Sequence, residues 1–214
     1  MAVPDQAAAT QRTAEELEAG LEEIQRSPAP VGTVELIVRR PAAGQREVLE
    51  EAALDLVEGL VGDTWRGSRR TPDGSANPNA QLTVMNAHVI ELVAGGRDRW
   101  ALAGDQLYVD LDLSVTNVPA GTRLGLGSAV IEVTADPHTG CAKFVARFGH
   151  AAHRFVNSKA HRHLHLRGIN ARVVEPGTVR RGDAIRTLGS YGRPRSGSAA
   201  GEAWKDCFGF GTSP

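Results

Sequence analysis

The sequence predicts a mainly β protein with a few short helices, its strands forming a mostly antiparallel sheet that is closed or half closed. Three observations carry that expectation. Short apolar and β-branched runs recur between turns marked by glycine and proline. Helical periodicity is confined to a few brief stretches. Strands and helices do not alternate as a doubly wound sheet requires.

Composition sets the bounds. A chain of 214 residues suits one sizeable domain with tails, and 41% apolar residues suffice for a core. With only 5% aromatic residues, core volume must come from Val, Leu, Ile and Ala. A formal net charge of −1 gives no bulk electrostatic argument for nucleic acid or an acidic membrane, although a local basic patch stays open. No run of apolar residues approaches a membrane span, and the first ten residues lack an apolar signal-like segment. Two distant cysteines make no disulfide framework, so the expectation is a soluble cytoplasmic protein with reduced thiols.

Along the chain, residues 1–12 read as disordered. Thr13-Ala-Glu-Glu16 matches a capping box, and Leu17, Leu21 and Ile24 follow at helical spacing, giving an acidic amphipathic helix attached as an appendage. Ser27-Pro-Ala-Pro30 breaks it. Residues 32–40 read as the first strand, and residues 47–56 fit either a strand or a helix. Gly59 to Trp65 is a glycine-punctuated turn, followed by a polar loop over 66–79. Residues 81–85 read as a strand, and residues 86–93 as a helix ended by Gly95-Gly96. Leu107, Val109, Leu111 and Leu113 alternate with polar neighbours, the period of a half-buried strand. A turn-rich region over 119–127 feeds a strand over 128–134. Residues 143–157 fit one helix with Phe144, Phe148 and Phe155 packing inward. Strands over 169–174 and 184–188 follow, and a mobile Gly/Ser/Pro-rich tail begins at Gly189.

Three segments, taken in order, resemble the MOSC domain, the module also found at the C-terminus of molybdenum-cofactor sulfurases. They are Gly59-Leu-Val-Gly-Asp63; Gly104-Asp-Gln-Leu107 through Val133, with Pro137 to Cys141 behind it; and Leu166-Arg-Gly-Ile-Asn170 through Asp183. The resemblance implies a β-barrel of the MOSC and pyruvate-kinase-barrel type over residues 31–188, flanked by the helical segment 1–30 and the tail 189–214. It also implies molybdenum cofactor (molybdopterin) as ligand and Cys141 as the cysteine that ligates molybdenum or carries sulfur. Stand-alone relatives are thought to reduce N-hydroxylated or N-oxide compounds, or to handle sulfur. Gln106 stands where the family pattern has asparagine. The chain is too short for the lyase half of the sulfurases, so pyridoxal phosphate is not expected on it. No flavin, haem or iron–sulfur motif is visible, so a reductase would draw electrons from a donor protein.

Chemistry narrows the candidates. Molybdenum in a dithiolene pterin takes a soft anionic ligand such as thiolate. A thiol of pKa about 8.5 loses its proton more readily near positive charge, which His138, Lys143 and Arg147 would supply. Gly140 would let a bulky ligand approach the backbone. The alternative is that Cys141 is a small buried hydrophobe. Arg66, Arg69 and Arg70 follow the Gly-Asp turn and would grip the cofactor's phosphate or its pterin edge, or else face solvent. Asn86 and Arg123 are further polar candidates. His161, His163 and His165 would share one face of a strand and bind zinc or nickel, or else form a basic surface segment. A thiol hydrolase pairing Cys141 with His138 lacks a third orienting residue. Asp63 and Asp183 are explained by turn capping, and Cys207 in the tail is incidental. A carrier that stores or delivers the cofactor without turnover is the non-enzymatic reading.

Overall fold

The computed structural model describes residues 11–68 and 70–190. Cys207, Arg69 and the tail beyond Ser190 lie outside them, as do residues 1–10. Eleven strands are present among the described residues: β1 (Val31–Arg39), β2 (Glu47–Leu49), β3 (Glu51–Asp55), β4 (Gly59–Leu60), β5 (Leu82–Asn86), β6 (Leu107–Asp110), β7 (Thr122–Leu126), β8 (Ala129–Val133), β9 (Ile169–Glu175), β10 (Gly177–Arg180) and β11 (Ala184–Ser190). The helices are α1 (Ala14–Ala19), α2 (Leu21–Gln25), α3 (Trp65–Ser68), α4 (Ala87–Ala94) and α5 (Ala142–Val156).

Seven strands close a barrel in the order β11-β7-β8-β9-β5-β6-β1, with β1 pairing back onto β11. Closure leaves the ring no open edge. Only β5 and β6 run parallel in it, joined by α4 and a 3-10 turn over Arg97–Ala103. That single crossover is the one departure from the antiparallel expectation. The stretch 47–56, ambiguous in sequence, is two strands: β2 extends the barrel sheet from β1, and β3 joins β10 and β4 in a three-stranded sheet.

Two cores explain the long apolar runs. Val34, Ile37, Val84, Leu107, Val109, Ile131 and Ile185 fill the barrel interior. Leu36, Val38, Met85 and Tyr108 point outward from the same strands and are covered by α4, α5 and the 3-10 turn. A register shift between Val34 and Leu36 resets the alternation, and Leu36-Ile37-Val38 is buried on both faces.

The N-terminal helix forms as its capping box dictates: the Thr13 hydroxyl accepts from the Glu16 N–H at 3.2 Å, and the Thr13 N–H donates to the Glu16 carboxylate at 2.8 Å. It breaks into α1 and α2 at Gly20, where a side chain would overlap Leu92. It is not an appendage, because Leu17 and Ile24 are buried in the second core with α4 and α5.

α5 also departs from expectation. Gly149 takes φ 85° and ψ 172°, which kinks the predicted single helix. Only a kinked helix lets its C-terminal end return to its start, since a straight run of this length rises more than 20 Å, at about 1.5 Å per residue. The return is visible in hydrogen bonds: the Gly140 N–H donates to Asn157 Oδ1 at 3.0 Å, and His153 Nε2 lies 3.0 Å from the Gly140 carbonyl.

Leu17→Ala is expected to destabilise the fold by about 2–5 kcal/mol, as for a buried leucine in a shared core. Chemical denaturation checks it; a loss under about 0.5 kcal/mol, the range of surface changes, would return the helix to the status of an appendage.

Candidate functional site

The site is built where three segments meet: the turn before β6, the turn before β9, and the loop that enters α5. Asp105 precedes β6 and is fully buried. Its Oδ2 accepts from Arg167 Nη1 at 2.7 Å, and Arg167 Nη2 donates to the Ala103 carbonyl at 3.1 Å. Arg167 is held in position by the following Gly168, whose φ of 97° and contact with the Val84 backbone leave no room for a side chain. The Arg167 guanidinium also lies 5.0 Å from the centre of the Phe144 ring, on the first turn of α5.

His138 joins this pair. Its side chain is 1% exposed, with Nε2 3.6 Å from Asp105 Oδ1. A second buried pair stands alongside. Asp63, its side chain fully buried, receives Arg40 Nε at 2.9 Å and Nη2 at 2.7 Å, while Arg40 Nη1 donates to the Gly104 carbonyl at 2.8 Å. Burial alone would lower the Arg40 pKa. The bonded Asp63 carboxylate, with Asp105 and Tyr108 further off, outweighs that and raises it. Tyr108 donates to the Trp100 carbonyl at 2.8 Å, and burial first, then the charge of Asp105, pushes its pKa up. Gln106 is fully buried and ties these parts together. Its amide carbonyl accepts from the Thr83 N–H at 2.9 Å and hydroxyl at 2.6 Å, and its NH2 reaches the Gln81 carbonyl at 3.1 Å and Asp63 at 3.4 Å.

Cys141 is exposed, at the N-cap position of α5. The partial burial of its thiol acts to raise the pKa. The backbone N–H groups of Phe144 and Lys143 and the charges of Arg167 and Lys143 act the other way and prevail, so the thiol is more acidic than an ordinary cysteine. Lys143 is exposed one helical step on. The reading of Cys141 as a buried hydrophobe is therefore set aside by its exposure.

Other predicted residues fall elsewhere. Gly140 gives no open approach, because a side chain there would meet Asn157, His153 and Val156; the returning half of α5 occupies the space. Asn86 caps α4, accepting from His88 and Val89 N–H groups, and donates to Ser27 and Leu111. Arg123 faces Glu132 at 3.6 Å across β7 and β8. Arg66 is exposed on α3, and Arg70 donates to Gly74 in its own loop.

His161 and His165 flank a 3-10 turn over Arg162–Leu164 and His163 lies inside it; the segment is not a strand, so the strand alternation that would align the three on one face is absent. His161 meets Glu18 at 3.1 Å, and His165 Nδ1 lies 2.7 Å from the Leu113 carbonyl. Among the described residues no group of three or more His, Cys, Asp or Glu is arranged to hold a metal ion. Nor is any helix long and apolar enough to cross a membrane. Asp63 does more than cap its turn, whereas Asp183 accepts from the Arg180 N–H at 2.7 Å and stays a turn residue. Asp105 and Arg167 were not singled out from sequence, although both lie inside the quoted family-like segments.

A family model described as the MOSC domain matches residues 75–186. Among solved structures, the YuaD protein from Bacillus subtilis aligns over 73% of this chain and 95% of its own, at 16% identity and a TM-score of 0.56. YiiM from Escherichia coli aligns over 75% of this chain and 69% of its own, at 19% identity and a TM-score of 0.46. YiiM from Geobacillus stearothermophilus aligns over 75% and 76%, at 15% identity and a TM-score of 0.48. At such identity the YuaD likeness speaks to the fold alone, and the two YiiM alignments add nothing to it. No curated protein matches the sequence.

Two outcomes are expected. The rate of Cys141 alkylation, measured against pH in a Cys207→Ser background, should rise to its plateau with a midpoint below that of a free cysteine peptide; a midpoint at or above it would remove the thiolate argument. Asp105→Ala should cost about 3–5 kcal/mol in denaturant unfolding, because it strands the buried Arg167 charge.

Proposed function

We propose, from the premise that the chain belongs to the MOSC domain family, that it binds molybdenum cofactor through the Cys141 thiolate and supports oxo-transfer reduction of N-hydroxylated or N-oxide compounds. One observation carries the reading: Cys141 is an exposed thiol at the start of α5, with Lys143 two residues on and the buried Arg167 close enough that its charge favours the thiolate. The donor chemistry fits. Thiolate is the soft anionic ligand that molybdenum takes. Positive charge suited to a phosphate stands next to it in Lys143 and Arg167, and Arg167 Nε is buried without an acceptor among the described residues. When bound, the cofactor would supply a metal able to accept an oxygen atom from an N–O bond.

The chain's own residues would do the rest. Cys141 would hold the metal, and Lys143 and Arg167 would offset the ligand's negative charge. The Asp105–Arg167 pair would keep that cation in a fixed position. Electrons would come from a donor protein. The exposure of Cys141 also favours a second reading, sulfur transfer. In it the thiolate would attack the outer sulfur of a donor persulfide, form its own persulfide and release the donor as a thiolate.

Metal and pterin content of protein purified from a molybdenum-replete host tests both, wild type beside Cys141→Ser. Near-stoichiometric molybdenum that disappears in the variant is the expected result, with the variant's unfolding midpoint equal to that of the wild type freed of cofactor, because the side chain is exposed. Molybdenum absent from both proteins would overturn cofactor binding, and persulfide sulfur on Cys141 would then favour transfer.

A further inference from the structure

Charge is segregated along this chain. Residues 137–174 contain seven Lys and Arg and no Asp or Glu, together with six of the seven histidines. Since the whole chain carries −1, the remainder carries −8. The positive segment includes Cys141, all of α5 and the 3-10 turn that follows. Part of its charge is engaged: Arg167 with Asp105, Arg172 with Glu132, and Arg147 with the Leu102 carbonyl. Arg154, Lys159 and Arg162 are different. All three are exposed, and none has an ion pair or hydrogen bond to a side chain among the described residues. Elsewhere on the surface, Arg26, Arg39, Arg180 and Arg181 each hold a carboxylate.

The kink at Gly149 returns the C-terminal half of α5 to the loop that presents Cys141: His153 and Asn157 bond to Gly140, the residue before Cys141. Arg154 follows His153 directly, and Lys159 lies two residues beyond Asn157. The acidic helix packed on α5 is α1. It borders the face without covering it: its Glu18 is taken by His161 and its Glu16 faces Arg12.

We infer that this basic face is the docking surface for a redox partner protein with an acidic surface, which approaches the site at Cys141. The inference rests on the reading of Cys141 as the working residue of the site. Charge complementarity identifies the partner's chemistry. The unpaired cations are exposed and spread over the end of α5, the loop after it and the 3-10 turn that follows, an arrangement that steers a protein surface and does not converge on a small anion. Long-range attraction from such a face persists to about 10 Å at 0.1 M salt, and raises encounter rates by roughly tenfold or more.

The test uses the full chain in a Cys207→Ser background, purified from a molybdenum-starved host so that Cys141 is unligated, with poly-L-glutamate as the acidic probe and neutral iodoacetamide as the reporter on Cys141. Poly-L-glutamate should slow alkylation at low salt, and the protection should fade at high salt. Combined Arg154→Glu, Lys159→Glu and Arg162→Glu should raise the probe concentration needed by on the order of tenfold, with the corresponding glutamine variant in between. Molybdenum content, measured on the same three proteins from a molybdenum-replete host, should be equal. Protection that is absent, or that survives the charge reversal, would overturn the inference. So would equal protection by duplex DNA, or self-association of the wild type on gel filtration that the reversal abolishes. Absence of molybdenum from the protein made in a molybdenum-replete host, with the salt-sensitive protection intact, would sink the cofactor reading alone.

Discussion

The buried pair of Asp105 and Arg167 is the constraint on which the site depends. Each charge, taken from water alone, would cost several kcal/mol, and their contact at 2.7 Å offsets that only because both are further engaged. Arg167 donates again to Ala103 and lies over Phe144, while Asp105 faces His138. These contacts come from the turns that enter β6 and β9 and from the start of α5, so the pair joins the ends of two barrel strands to the helix whose N-cap is Cys141. The partners left over, Asp105 Oδ1 and Arg167 Nε, have no hydrogen bond among the described residues. Buried polar atoms in that state are costly in a finished core and are expected where a ligand or water completes the set.

The barrel makes this geometry rigid. A ring of seven strands without an edge fixes the turns at its end, and the second core presses α4 and α5 onto its outer face. Met85 and Tyr108 show the link directly. Each leaves the barrel on its outward face, and Tyr108 anchors the Trp100 turn while accepting from the Asp105 N–H at 3.3 Å. The burial that stabilises the helical layer therefore also sets the position of the carboxylate.

Much of the barrel was legible because its rules are local. A period-two run marked β6, and apolar, β-branched runs marked β1, β5, β8 and β9; the Thr13 box and the Asn86 to Gly95 segment marked helices at nearly their observed ends. What stayed hidden depends on partners distant in sequence. Gly149 looks like any helix glycine until Asn157 is seen to bond Gly140. The strand pair of β3 and β10 joins residues more than a hundred apart, which no local pattern records. In the site, Cys141 could be picked by residue type and context. Asp105 and Arg167 could not, because aspartate and arginine beside glycine usually read as turn residues, and only their burial reveals the pair. The alternating histidines misled in the opposite direction: their spacing suits a strand, but His165 takes a left-handed conformation and ends a 3-10 turn.

The contrast between inside and outside completes the argument. Around Asp105 the charges are buried or mostly buried and nearly matched, and this gives a fixed field with little reorganisation required of solvent. From the end of α5 to the 3-10 turn, Arg154, Lys159 and Arg162 are exposed and unmatched among the described residues, and this gives a field that reaches into solvent but is screened by salt. Cys141 sits at the boundary between the two. Its thiol feels Arg167 from the interior and Lys143 from the surface, and both favour the thiolate. An inert structural cysteine gains nothing from such a position, since burial among apolar side chains would serve it as well. A cysteine that must remain ionised and still be reached from outside gains from both fields.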